Sequence, residues 1–196
     1  MPPPAPPAAH DRLKIAFIGS HGVGKTTLCY GLAARLKSSD VAVEVVHEVA
    51  RRCPLPINEE TSVASESWIL HTQIAEEIVA AHRYPVVICD RSALDNYVYL
   101  LLAAEPRPDL DGLVDAWMRT YDLLVHVPVV EEPSPDGVRS ADPSFQRAVD
   151  ERLERELARR GLAAFRLDPG DRAGWLDAVE AVVRERLRPA QLEIPI

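Results

Sequence analysis

An eight-residue segment near the amino terminus has the composition of a phosphate-binding loop. Residues 19–26 read Gly-Ser-His-Gly-Val-Gly-Lys-Thr and satisfy the pattern G-x-x-x-x-G-K-[ST]. The glycines of such a loop permit a tight turn whose backbone N–H groups face a polyphosphate at the start of a helix. Lys25 adds a positive charge at the β- and γ-phosphates, and Thr26 offers a hydroxyl to Mg²⁺. The predicted nucleotide-binding residues are Gly19, Ser20, His21, Gly22, Val23, Gly24, Lys25, Thr26 and Thr27.

A carboxylate follows a hydrophobic strand further along the chain. Asp90 comes directly after the run Val86–Cys89, so its side chain is expected at the carboxyl edge of a sheet, where α/β proteins bind ligands. There Asp90 and Thr26 would hold a magnesium ion with most of its water shell. The alternative is that Asp90 caps the helix that follows. Arg91 suits the binding of a phosphate or an acceptor better than the activation of a hydrolytic water.

Glu48 stands just past a second predicted strand, Val41–His47, and is followed by Arg51 and Arg52. In a parallel sheet all three side chains are expected at the same carboxyl edge. A carboxylate at this edge could deprotonate the hydroxyl group of an acceptor. The alternative is a solvated helix start, where Glu48 lies near the positive end of the helix dipole.

A proline-rich stretch from residue 128 to residue 143 shows no apolar period. Loops of this length in a compact domain are usually functional or disordered, so the segment is predicted to be a mobile lid. It contains Arg139, which could cover a phosphoryl group as negative charge spreads over it during transfer. The alternative for Arg139 is a solvated surface arginine.

Strand-length apolar runs alternate with segments of helical period, which is typical of an α/β fold with a parallel sheet between helices. In the first helix, Leu28, Leu32 and Leu36 lie on one face. In a longer helix at about residues 61–82, Trp68, Ile74 and Ile78 are predicted to share the buried side. The predicted strands are Lys14–Ile18, Val41–His47, Val86–Cys89, Leu123–Val127 and Ala163–Leu167.

The composition fits one domain. The chain has 196 residues, of which 47% are hydrophobic, and no apolar run is long enough to span a membrane. A net charge of −8 disfavours nucleic acid as a partner, and the three cysteines show neither a disulfide nor a metal-ligand pattern. We expect a disordered proline-rich leader over 1–12, a nucleotide-binding domain over 13–188, a tail over 189–196 and a cytoplasmic location.

The order of these motifs resembles that of a known family. The phosphate-binding loop, Glu48-Val49-Ala50-Arg51, Asp90-Arg91-Ser92 and the segment ending in Arg139 are similar to motifs of the AAA-type ATPase domain family typified by bacterial ribosylnicotinamide kinase domains. A more distant likeness is to deoxynucleoside and thymidylate kinases. The resemblance covers about residues 13–187. It implies a P-loop NTPase fold with a five-stranded parallel sheet in the order 2-3-1-4-5.

The same resemblance implies a role for each residue that matches the motifs. Glu48 would be the base, Asp90 a carboxylate on the magnesium side, Arg91 a clamp for acceptor or phosphate, and Arg139 the lid arginine. Lys25 completes the predicted catalytic set, and the residues alone leave open whether Glu48 or Asp90 is the base.

Together these features predict a Mg²⁺-dependent kinase that transfers the γ-phosphoryl group to a nucleoside, a nucleotide or a similar small hydroxyl compound. Because no [NT]KxD phrase for guanine occurs, ATP is favoured over GTP as the donor. The alternative is a nucleotide-binding switch, or a slow NTPase, whose lid contacts a protein partner. Neither nucleic acid nor a membrane is an expected partner, and homodimer formation stays open.

Overall fold

The computed structural model describes residues 12–57, 60–131 and 142–187. These ranges contain five strands and six helices of ten or more residues, with two successive helices between the third and fourth strands and short 3₁₀ turns at Val49–Arg52 and Arg172–Gly174. The strands are β1 Leu13–Ile18, β2 Val43–Val46, β3 Val86–Asp90, β4 Leu123–His126 and β5 Phe165–Arg166. The helices are α1 Lys25–Lys37, α2 Val63–Arg83, α3 Ala93–Ala103, α4 Pro108–Met118, α5 Pro143–Arg159 and α6 Trp175–Leu187.

The five strands form one parallel sheet in the order β2-β3-β1-β4-β5, which confirms the predicted topology. In the register, Phe17 pairs with Asp90, and Ile18 pairs with His126. The phosphate-binding loop and Asp90 therefore reach the same carboxyl edge. The short strands β2 and β5 are the two edge strands, and both are shorter than the sequence predicted.

Each face of the sheet carries its own hydrophobic core, because strands buried on both sides need helices on both sides. One core joins the strands to α1 and α6, and it includes the predicted residues Leu28, Leu32 and Leu36. The other joins them to α2, α3, α4 and α5, with Tyr97 and Leu153 fully buried. Because both faces of β3 are covered by helices, its sequence is continuously apolar from Val86 to Cys89.

Helix α2 differs from the prediction in the face that it buries. Ile78 is 55% exposed, while Trp68 and Ile74 are only half-buried. The buried face is largely polar and consists of Ser65, Glu66, Ile69, Leu70, Gln73, Glu77 and Ala80. The spacing of apolar residues predicted the wrong face, because hydrogen bonds and an ion pair satisfy several of the polar side chains on the face that is buried.

Several predictions fall outside the described residues. These are residues 1–11 of the predicted leader, residues 132–141 of the predicted lid, including Arg139, and the tail over residues 189–196. They stay predictions. Among the residues that the structure describes, no helix combines the length and the apolar character needed to cross a bilayer.

Candidate active site

The phosphate-binding loop connects β1 to α1 and takes its shape from glycine. Gly19, Gly22 and Gly24 have φ values of 138°, 77° and 98°, a region that other residues rarely adopt. At Gly19 a Cβ atom would lie 2.5 Å from the carbonyl oxygen of Val127, so the end of β4 also excludes a side chain there. Thr26 lies in the first turn of α1 and is partly exposed, and Thr27 beside it is exposed.

Side chains from α3 and α5 hold this loop in place. Oδ1 of Asp95 accepts the N–H of Gly19 at 2.9 Å. The hydroxyl of Ser20 donates to the carbonyl of Gln146 at 2.8 Å, and Nε2 of Gln146 donates to the carbonyl of His21 at 2.8 Å. The ring of His21 is buried beside Tyr99 and Phe145. Ser20 and His21 thus support the loop through their side chains, and only their backbone groups are suited to binding phosphate.

Asp95 was not singled out from the sequence, although a signal for it exists. Ser92 and Asp95 form a capping box at the start of α3, in which Oδ2 of Asp95 accepts from the N–H and the hydroxyl of Ser92. The spacing Ser-x-x-Asp marks such a box. Because Oδ1 of the same carboxylate holds Gly19, one side chain joins the helix cap to the loop.

Lys25 is buried at the start of α1 and bends back over the loop. Its ammonium group donates to the carbonyl oxygens of Gly19 at 2.7 Å and Ser20 at 2.5 Å. Burial, together with the positive charge of Arg91, lowers the pKa of Lys25 to about 8. Phosphate oxygens in the loop would favour the charged form, so nucleotide binding should raise this pKa again.

The hydroxyl of Thr26 donates to Oδ2 of Asp90 at 2.6 Å, which brings the two predicted magnesium ligands together. A hydroxyl and a carboxylate are oxygen ligands of the kind that Mg²⁺ takes, and Mg²⁺ needs only one or two protein ligands beside its water and the phosphates. The pair therefore fits the ion. The capping alternative for Asp90 is wrong, because Ser92 caps α3.

Glu48 lies beside Asp90 along the sheet edge, and its carboxylate is held by two arginines. Oε1 accepts from Nε of Arg91 at 2.7 Å, and Oε2 accepts from Nε of Arg51 at 2.8 Å. Glu48 is 6% exposed, which contradicts the alternative of a solvated helix start. The expectation for Arg52 is wrong, because its guanidinium pairs with Glu76 on the outer side of α2.

Arg91 has φ +105°, which is unusual for a residue with a side chain and costs on the order of 1–3 kcal/mol. Surrounding groups impose this conformation. Nε2 of Gln73 donates to the carbonyl of Arg91 at 2.9 Å, while the guanidinium is anchored by Glu48 and lies over the ring of Tyr99. The backbone at the end of β3 thus turns the Arg91 side chain toward Glu48.

A phosphate-binding loop follows the first strand, an aspartate ends the neighbouring strand, and the sheet order is 2-3-1-4-5. Together these features define a P-loop fold of the type found in nucleoside and nucleotide kinases. The chain belongs to the AAA domain family, whose sequence profile matches residues 14–173. The resemblance drawn from the motifs is thereby confirmed. A comparison with curated proteins finds no significant match.

Solved structures share the fold at low sequence identity. The deoxyadenosine kinase from M. mycoides, determined with bound dATP, has a TM-score of 0.61 and 17% identity over 88% of this chain and 100% of the kinase chain. Thymidylate kinase from Ehrlichia chaffeensis has a TM-score of 0.61 and 18% identity, over 90% of this chain and 99% of the other. At this identity the likeness shows the fold.

Proposed function

We propose that this protein is a Mg²⁺-dependent phosphotransferase that transfers the γ-phosphoryl group of ATP to a hydroxyl group of a nucleoside, a nucleotide or a similar small acceptor. The observation that carries the proposal is the placement of two separate carboxylates at one sheet edge. Asp90 is bonded to Thr26 beside the phosphate-binding loop, and Glu48 is bonded to Arg91 beside an adjoining cavity. Nucleotide and acceptor sites side by side suit a transfer reaction.

The phosphate-binding loop supports the donor half of this proposal. Its backbone is held rigidly by Asp95 and Gln146, so its N–H groups are preorganised for phosphate oxygens. Lys25 already lies over the loop, and its ammonium group can exchange carbonyl oxygens for phosphate oxygens. Thr26 and Asp90 would hold Mg²⁺, which neutralises charge on the phosphates.

Glu48 supports the acceptor half of the proposal. As the acceptor oxygen bonds to the γ-phosphorus and the bond to the β–γ bridging oxygen breaks, the hydroxyl proton passes to the carboxylate of Glu48 and ADP leaves. Arg91 fixes the carboxylate and brings a positive charge close to the developing negative charge. We assign the base to Glu48 because Asp90 accepts the hydroxyl of Thr26, the other proposed Mg²⁺ ligand. Arg139 stays a prediction for the lid.

The test is ADP formation from Mg·ATP, alone and with pools of nucleosides, nucleotides, sugars and other hydroxyl compounds. We expect the rate to rise with one pool and to vanish in Lys25→Ala. Glu48→Gln should lower kcat by about 10²–10⁴-fold with nucleotide binding retained, which is the usual range for loss of a general base. Asp90→Asn should raise the Mg²⁺ concentration needed for half-maximal rate. Glu76→Gln, a change on the outer side of α2, is the matched control.

Two outcomes would contradict the proposal. A slow rate that ignores every pool, with tight nucleotide binding, would favour a nucleotide switch. If Glu48→Gln and Asp90→Asn shifted the Mg²⁺ requirement equally, the division of roles between the two carboxylates would be wrong.

A further inference from the structure

A narrow cavity lies beside Glu48, between the turn Val49–Arg52, the start of α2 and α3. It encloses about 370 Å³ of empty space including its mouth, but only about 20 Å³ admits the centre of a water molecule. That is room for about one water. Among the described lining residues Arg51 is the exposed one, with 38% of its side chain accessible. An acceptor larger than a water molecule therefore requires the cavity to widen.

Three of the residues that line this cavity each have a buried polar atom with no hydrogen-bond partner among the described residues. The atoms are Oγ1 of Thr61, Oε2 of Glu66 and Nη1 of Arg91. The three residues are 9%, 3% and 4% exposed. An unpartnered buried polar group costs about 1–3 kcal/mol, so native proteins seldom leave several around one space. A ligand with complementary groups would remove this cost.

The two residues from the start of α2 present a specific set of donors and acceptors. Burial raises the pKa of Glu66 to about 8, so near neutral pH its carboxyl group keeps its proton. A neutral carboxyl group has one O–H donor and one carbonyl acceptor side by side, and the hydroxyl of Thr61 can donate or accept. Such a pair matches a planar edge with an N–H next to an acceptor, as in an amide or an amidine.

The other walls of the cavity suit an uncharged ring. Ile57 and Ile69 are apolar, and Tyr99 presents an aromatic ring near Arg91. The two guanidinium groups at the cavity, those of Arg51 and Arg91, are both bonded to Glu48. A flat, uncharged ring would pack against these side chains.

We propose that Glu66 and Thr61 are specificity-determining residues, which select an acceptor by binding a ring edge that carries an N–H donor beside a hydrogen-bond acceptor, as on an amino-substituted nucleobase. This inference rests on the proposed function, because it takes the cavity beside Glu48 as the acceptor site. Nη1 of Arg91 would bond to an oxygen near the reacting hydroxyl. The substrate class is thereby narrowed to acceptors that carry such a base.

The test compares pairs of nucleosides that differ only in one exocyclic amino group. Adenosine is paired with purine riboside, and cytidine with its analogue that lacks the 4-amino group. Dissociation constants are measured by calorimetry with a non-hydrolysable ATP analogue present, and acceptor-dependent ADP formation is measured separately. We expect the wild type to bind the amino-bearing member of at least one pair tenfold or more tightly, because the site leaves its own polar groups unpaired with the other member.

Two substitutions at Glu66 separate recognition from folding. Glu66→Met removes both hydrogen-bonding groups and should abolish the preference, raising KM about 10–100-fold with kcat changed less than threefold. Glu66→Gln keeps a donor beside an acceptor and should retain the preference within about threefold. Thr61→Val should also reduce the preference, and Glu76→Gln should change nothing.

The outcomes distinguish this inference from the proposed function. Phosphoryl transfer to a nucleoside with no preference within either pair, or with a preference that survives in Glu66→Met, would overturn the inference and leave the function standing. A loss in Glu66→Gln equal to that in Glu66→Met would also overturn it. Selective binding without any ADP formation would support the recognition site and contradict the kinase proposal. Absence of both binding and turnover would overturn both.

Discussion

Two buried carboxyl groups on the same face of α2 have opposite surroundings. Glu77 accepts from Nζ of Lys14, Nε1 of Trp117 and the hydroxyl of Tyr121, each at 2.7 Å. Glu66, eleven residues earlier, has Oε2 buried with no hydrogen-bond partner among the described residues. The residue type, the helix and the burial are the same. Only the neighbours differ.

This difference distinguishes a buried acid that stabilises the fold from one that is available to a ligand. Glu77 closes a network at the amino end of the sheet, where the ammonium group of Lys14 also lies over the rings of Trp117 and Tyr121. Glu66 lies toward the carboxyl end, beside the cavity next to Glu48. A satisfied network stabilises one native structure, whereas an unsatisfied group destabilises the empty protein and is available to a ligand.

The largest expected effect on stability comes from breaking the satisfied network. Glu77→Leu leaves the ammonium group of Lys14 buried without its carboxylate, which should lower the free energy of unfolding by about 4 kcal/mol. Urea titration followed by circular dichroism measures this loss. The double variant Lys14→Met with Glu77→Leu should recover much of it, because the uncompensated charge is gone. A loss below about 1 kcal/mol in Glu77→Leu would show that the network contributes little.

The second effect is a pH dependence caused by Glu66. Its pKa is about 8 in the folded protein against an ordinary value of 4.5, mainly because burial disfavours the charged form. Between these values the folded state binds more protons than the unfolded state, so the free energy of unfolding falls as pH rises from 4.5 to 8 and levels off above 8. Between pH 5 and pH 8 this group should contribute a fall of about 3 kcal/mol.

Glu66→Met removes the titrating group, so the difference between the wild type and this variant isolates its contribution. Urea titrations at several pH values should show the two proteins converging toward pH 5, with the variant increasingly the more stable toward pH 8. Parallel curves at all pH values would mean that Glu66 titrates normally and is solvated in the folded protein.

A smaller effect is expected for a hydroxyl group inside the satisfied network. The hydroxyl of Tyr121 donates to Glu77 and accepts the N–H of Ala93 at 3.1 Å. Tyr121→Phe should therefore lower the free energy of unfolding by about 2 kcal/mol, the range for hydrogen bonds to a charged group. Thermal unfolding at pH 7 provides the measurement, and no change in midpoint would contradict the prediction.

The smallest effect on stability is expected for the hydroxyl group of Thr61, which lies beside the cavity next to Glu48. Oγ1 of Thr61 has no partner among the described residues, so Thr61→Val removes an unpaired buried hydroxyl and should raise the free energy of unfolding of the empty protein by about 1 kcal/mol. The same thermal experiment compares it directly with Tyr121→Phe. A loss as large as that of Tyr121→Phe would show that the hydroxyl is bonded in the empty protein.

The sequence predicted the fold well because two strong local signals determine it. Continuous apolar runs give the buried strands, and the phosphate-binding loop lies between the first strand and the first helix, as its mechanism requires. The expected proximity of Thr26 and Asp90 also followed, since carboxyl ends of parallel strands share one edge. The sequence did not predict the lengths of β2 and β5, because an edge strand ends where it stops pairing with its single neighbour.

The sequence did not predict the buried polar residues of α2. The apolar spacing in α2 predicts that Trp68 and Ile78 lie on its buried side, and nothing in that spacing marks Glu66 or Glu77 as buried. Polarity predicts exposure only when no buried partner exists, and three of the partners of Glu77, namely Lys14, Trp117 and Tyr121, are 40 or more residues away in sequence. The same limit applies to Arg52, which pairs with Glu76 on α2.

The sequence by itself determined the fold class, the phosphate-binding loop and the edge of the sheet that carries Glu48, Asp90 and Arg91. These depend on local spacing and on the geometry of parallel strands, which short segments specify. Only the tertiary structure decided that Arg91 turns to Glu48 and that Glu66 is buried without a partner. Burial and hydrogen bonding between distant segments determine the charge of a side chain and whether it can bind a ligand. Local sequence patterns do not predict these long-range contacts.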